Sequence, residues 1–132
     1  MSMQDQNKEK VKAIVNRIEK LASLSDYGAR DLVSDARTLA HLSRDLKTAQ
    51  IRKIYGTVKK LELEVRSGDF NHDKVIFLLP KLAYAANKKG EVRNLQEVLS
   101  TCINKVRDGE NGKADFRRFV NFFEAILAYH RG

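Results

Sequence analysis

Arg52, Lys53, Lys59, Lys60 and Arg66 are the residues whose type and spacing suit them to one shared task, because all five are cations on one side of a single helical period. At 100° per residue, with Arg52 taken as zero, Lys59 falls at about −20°, Arg66 at about −40°, Lys60 at about +80° and Lys53 at about +100°. Ile54, Val58, Leu61 and Val65 fall between about 180° and 240°, on the opposite side. Such a helix buries one side and lays the other, over roughly 21 Å, along a polyanion. Gly56 lies within the basic face at about +40°, where a missing side chain lets a backbone or a base come close. Glu62 and Glu64 stand at the margins and leave the centre of the face free of acid. The same five residues also suit a solvated, lysine-rich face of a bundle helix.

A second basic group comprises Lys81, Lys88, Lys89 and Arg93. Lys81 and Lys88, seven apart, share a face if a helix continues past Pro80. Lys88 and Lys89 equally complement a helix C-terminus. Arg117, Arg118 and Arg131 flank an aromatic segment whose rings could stack on bases. Phe116, Phe119, Phe123 and Ile126 nevertheless sit at core spacing, so the aromatics are assigned to the core.

Catalytic chemistry finds little support. His41, His72 and His130 show no HxxxH or HExxH spacing and are expected to be structural or surface groups. Cys102 falls within an apolar stripe and is expected to be a buried small hydrophobe, not a nucleophile. Asp69, Asn71, His72 and Asp73 form a polar cluster that a helix N-cap explains more simply than a metal. Asp108, Glu110 and Gly112 faintly resemble a calcium loop, but the glycine is out of place and the closing Glu is missing. With no phosphate loop or dinucleotide fingerprint, the chain is expected to be no enzyme and to hold no metal or cofactor.

The elements that position these groups follow from composition and periodicity. One proline and seven glycines among abundant Leu, Ala, Lys and Glu point to helices. Val11, Ile14, Val15, Ile18 and Leu21 predict a helix over about 5–24. Ser23 and Asp26 stand at capping-box spacing for a second, carrying Leu32, Val33, Ala36, Leu39, Ala40 and Leu46. A third is expected over about 48–66, ended by Ser67, Gly68 and Asp69. A fourth, over about 72–88, contains Pro80, which must kink or split it, and Gly90 is its expected C-cap. A fifth runs from Glu91 to about Arg107, and a sixth from the turn Asp108–Gly112 to about His130. No segment alternates long enough to predict a strand. The expected fold is all-α, a compact bundle of five to six helices in a single domain over 1–132.

With 132 residues, folding buries roughly 68% of the chain's extended area, enough for a core without staples. The formal charge is +8, with +5 on residues 1–66 and +3 on 67–132, so an anionic partner is expected for the whole chain. One cysteine excludes an internal disulfide and suits a reducing compartment. No purely apolar run is longer than the five residues of Val75–Leu79, far short of the ~20 residues of a membrane span. A polar N-terminal stretch does not read as a signal peptide. A cytoplasmic protein without a membrane partner is expected.

Three stretches carry a resemblance: Lys47–Tyr55 (KTAQIRKIY), Leu78–Ala86 (LLPKLAYAA) and Phe119–Gly132 (FVNFFEAILAYHRG). In this order and combination they resemble the small helical subunit of type III-A CRISPR effector complexes, the Csm complex. The first 46 residues match only in being helical. The resemblance implies a non-catalytic protein that stacks in several copies inside a ribonucleoprotein and contacts CRISPR RNA and target RNA, among the other Csm subunits. It places target-RNA cleavage in the backbone subunit, and DNA cleavage and cyclic oligoadenylate synthesis in the large subunit. Arg52, Lys53 and Lys81 fall on the family's motifs. After Ala86 the family often shows Gly-Arg, whereas Asn87, Lys88 and Lys89 here keep charge without the guanidinium fork that bidentate phosphate contact needs. The expected role is sequence-independent RNA binding, through Arg52, Lys53, Lys59 and Lys60 first and Lys81, Lys88, Lys89 and Arg93 second, with base pairing supplying sequence. Two alternatives remain: a helical DNA-binding regulator, disfavoured by the poor turn at Lys47–Gln50, and an adaptor for an acidic protein.

Overall fold

The computed structural model describes residues 2–68 and 70–131. Its order is α1 Met3–Glu19, α2 Ala29–Leu42, α3 Thr48–Arg66, α4 His72–Ile76, α5 Leu78–Lys88, α6 Arg93–Ile103 and α7 Gly112–Tyr129. The described residues contain no strand, and the all-α bundle expected from periodicity is what forms. If the bent pair α4 and α5 is taken as one broken helix, six helices remain, the upper number expected.

The centre is α7, which packs against α2, α3 and α6, while α1 and α5 both lie on α6. Phe116, Phe119, Phe122 and Phe123 are fully buried and join residues from every helix in one apolar cluster. The aromatic helix therefore serves as core, as its spacing predicts. Burying a ring of this size contributes on the order of 2–3 kcal/mol. Cys102 is wholly buried among the same side chains, and burial pushes its thiol up, so the nucleophilic thiolate is not formed.

Helix α3 begins and ends where its periodicity predicts, and Gln50 Oε1 accepts the Lys47 N–H at 3.1 Å to close its first turn. Other boundaries differ, each for a local reason. Ser23 and Asp26 do not cap α2: residues Leu24–Asp26 form a 3₁₀ turn, and α2 starts after Gly28, which caps without a side chain. Leu46 lies beyond the end of α2 yet is fully buried. Pro80 splits the fourth helix. Lacking an N–H, it cannot bond the Ile76 carbonyl, so α4 closes at Ile76 and α5 restarts at Leu78 with Pro80 in its first turn.

Gly90 is not the C-cap of α5. Lys89 ends that helix in extended conformation, and Gly90 opens a 3₁₀ turn, Gly90–Val92, leading into α6. Helix α6 stops at Ile103 because Lys105 is claimed elsewhere: its carbonyl accepts the Leu24 N–H at 3.0 Å, and its ammonium reaches the Leu21 carbonyl at 2.8 Å. Asn71 caps α4 by accepting the Asp73 N–H at 2.9 Å, as expected of the polar cluster there, whereas Asp69 lies outside the described residues.

Candidate nucleic-acid interface

The apolar side of α3 is turned inward by Ile51, Val58 and Leu61, all buried, and the helix is pinned to α7 at Tyr55. The Tyr55 ring meets Phe123 edge-on at 5.2 Å between centroids, and its hydroxyl donates to Glu124 Oε1 at 2.9 Å. Burial, then the bond to Glu124, pushes the phenol up to about 12, so it stays protonated and keeps donating. This contact joins two of the motif stretches, Lys47–Tyr55 and Phe119–Gly132.

With α3 pinned in this way, its basic face divides. Arg52, Lys53 and Lys60 are exposed. Lys59 is half-buried and pairs with Glu62 at 3.5 Å, and Arg66 pairs with the same carboxylate at 2.6 Å. Glu62, placed at the margin by projection, thus draws two cations toward itself. The C-terminal part of the face carries less free charge than the bare pattern implies.

Only Lys53, at the edge of that face at about +100°, reaches a groove of about 890 Å³ between α3 and α5, which opens along the border between the basic and apolar sides of α3. Gln50, Lys53, Ile54, Thr57 and Val58 form one wall at the i, i+3, i+4, i+7 and i+8 positions of α3. Lys81, Tyr84, Ala85 and Lys88 form the other at the same period of α5, with Lys89 and Val92 at one end. Four of the eight candidate cations, Lys53, Lys81, Lys88 and Lys89, therefore line one cleft. No carboxylate lines it, and among the described residues none of the four has an ion-pair partner. Ile54, Val58, Leu78, Leu82, Ala85 and Val92 make its lining largely apolar.

The remaining candidates lie apart. Arg52, Lys59 and Lys60 do not line this groove, and Arg93 borders a second hollow with Asn87, Gln96, Glu97 and Asn104. Two exposed rings, Tyr84 in the groove and Phe77 outside its lining, escaped the sequence reading. Tyr84 is 66% exposed with the Lys88 ammonium 5.5 Å above its ring centroid, and Phe77, at the bend between α4 and α5, is 64% exposed. Their signal was a ring every seventh residue beside lysines, hidden because Phe77, Leu78 and Leu79 read as one apolar run.

The polar groups elsewhere hold the fold. Asp115 is fully buried and receives the Ser25 N–H, the Arg107 N–H and Arg107 Nε, each at 2.9 Å. Burial by itself pushes this carboxyl up, but the bonds from Arg107 and Ser25 outweigh it and hold the group below the usual carboxylate range. Asp35, also buried, takes Arg17 Nε at 3.0 Å and the Tyr27 hydroxyl. His72 and His130 lie with Nε2 at 2.9 Å from the Val106 carbonyl and 3.0 Å from the Ser43 carbonyl, which makes both structural. Among the described residues no group of three or more His, Cys, Asp or Glu is placed to hold a metal, and no helix is long and apolar enough to cross a membrane.

Comparison with curated proteins and with solved structures finds no match. A family model described as Csm2 Type III-A matches residues 26–132, from the turn before α2 to the last residue.

Proposed function

The chain belongs to the Csm2 Type III-A family and is a subunit of a type III-A CRISPR complex, and from that premise we propose that it is a non-catalytic, cytoplasmic RNA-binding scaffold. In this reading the lysine-rimmed groove between α3 and α5 grips the sugar-phosphate backbone of CRISPR RNA or target RNA, and pairing between the two strands supplies sequence. Several copies stack in the complex beside the other Csm subunits, so weak individual contacts sum to stable occupancy.

The observation that carries the reading is the convergence of Lys53, Lys81, Lys88 and Lys89 on one acid-free cleft. A solvated lysine face draws compensating carboxylates, as Lys59 and Arg66 draw Glu62. A phosphate site keeps its cations free for counterion release on binding. The single apolar cluster shared by every helix supports treating the chain as one domain.

The test is RNA affinity measured by fluorescence anisotropy across a salt series. Lys53→Ala combined with Lys81→Ala is expected to weaken binding for every RNA sequence alike. It is also expected to lower the slope of log K against log salt by about 0.7 per lost single-strand contact. Unchanged slope and affinity in that variant overturn the groove as the RNA site. Tighter binding of duplex DNA than of RNA in competition favours a DNA-binding regulator, and pull-down of an acidic protein without RNA favours an adaptor.

A further inference from the structure

We propose that the face of α5 formed by Phe77, Lys81, Tyr84 and Lys88 is a stacking site for unpaired nucleobases, so that the groove takes single-stranded RNA in preference to duplex. The inference rests on the RNA-binding reading of the groove and specifies which form of RNA the groove accepts. The spacings of four, three and four residues place these side chains within about 60° of one another on a helix. Phe77, although at the bend, keeps helical dihedrals of φ −66° and ψ −10°, which carries the face across the α4–α5 junction. Ring and ammonium therefore alternate along one ridge.

Three observations bear on the occupant, and the last of them favours a base over a protein side chain. Tyr84 is 66% and Phe77 64% exposed, which are large apolar areas to leave facing water. The adjoining lining, with Ile54, Leu82, Ala85 and Val92, is apolar and suits the flat face of a base. The rim is cationic without a carboxylate, whereas the centres of protein interfaces are depleted in lysine. Lys88, 5.5 Å above the Tyr84 centroid, is the group a phosphate draws away, and its departure opens that face of the ring to a base. In an intact duplex the bases are stacked on each other and unavailable to such a ring. Only an unpaired or extruded nucleotide meets Tyr84 face to face.

The full-length chain is assayed with a single-stranded RNA carrying 2-aminopurine and with the same strand in a duplex. Tyr84→Leu is expected to weaken single-strand binding on the order of ten-fold, to abolish the fluorescence quenching that reports stacking, and to leave the salt slope unchanged. Tyr84→Phe is expected to retain both affinity and quenching, since only the ring is required. Duplex affinity is expected to change little in either variant. Because Tyr84 is exposed, circular dichroism of both variants should match the parent. If Tyr84→Leu binds single strands as the parent does while Lys53→Ala with Lys81→Ala weakens binding, stacking is overturned and the RNA-binding groove survives. If Tyr84→Leu abolishes self-association measured without RNA, the ridge is a seat for a second copy and the proposal fails. If the parent binds no RNA at all, both readings fail together.

Discussion

Asp115 shows how much one side chain can hold. Its two oxygens tie the loop before α2, the loop after α6 and the first turn of α7, through Ser25 and Arg107. Asp115→Asn offers one acceptor where two faces need one, setting an NH₂ group against a backbone N–H. The expected loss is about 2 kcal/mol, read from the urea midpoint at pH 7. The pH dependence has a definite sign. The folded carboxyl is held below its unfolded value of 3.8. Its contribution is therefore complete above that value and is lost as the pH falls through the lower, folded one. The parent should lose stability on acidification below about pH 4, and Asp115→Asn should lose less over the same interval. Asp115 and Asp35 were open to detection in sequence. Each occupies a core position of its helix, Asp115 between Gly112 and Phe119 and Asp35 between Leu32 and Leu39, where an acid must be paired or must not be charged.

Among the elements, α3 was the most legible, since its apolar and basic sides separate within one unbroken period and its boundaries match. The segments around it were harder to read, because their ends are set by groups distant in sequence. Leu21 and Leu24 take Lys105 from α6, and Asp115 takes the Ser25 amide from any local cap. The groove itself lay beyond periodicity. Helical projection gives the faces of α3 and α5 separately, but their meeting depends on Tyr55 docking on α7 and α5 docking on α6. The split of the candidate cations, with Arg93 on the far hollow and Lys59 turned to Glu62, is set by the same tertiary placement. Within α3, Gly56 is exposed and a Cβ there meets nothing within 4 Å. Gly56→Ala should therefore stabilise the chain by about 0.5–1 kcal/mol in thermal unfolding. If RNA approaches the backbone at that point, the same variant binds RNA more weakly while melting higher.

At the scale of the whole molecule, the helices sort into those that form the core and those that present surface. Helix α1 precedes the family match, yet Val11, Ile14 and Ile18 are buried and Arg17 reaches Asp35, so it is an integral wall of the bundle. Exposed apolar groups remain at Val33, Leu63, Phe77 and Tyr84. With stacking of copies as the proposed arrangement, the free chain should sediment faster than a 15.1 kDa monomer at high concentration. Strictly monomeric behaviour would place the contacts between copies on partner subunits instead. The buried thiol of Cys102 has a practical consequence for such measurements. The one native cysteine is sealed in the core, so Asn87→Cys, at an exposed site near the end of α5, would present the sole thiol that a maleimide dye can reach. Spectroscopic distances between neighbouring copies can then be read from a singly labelled chain whose interior is left as it is.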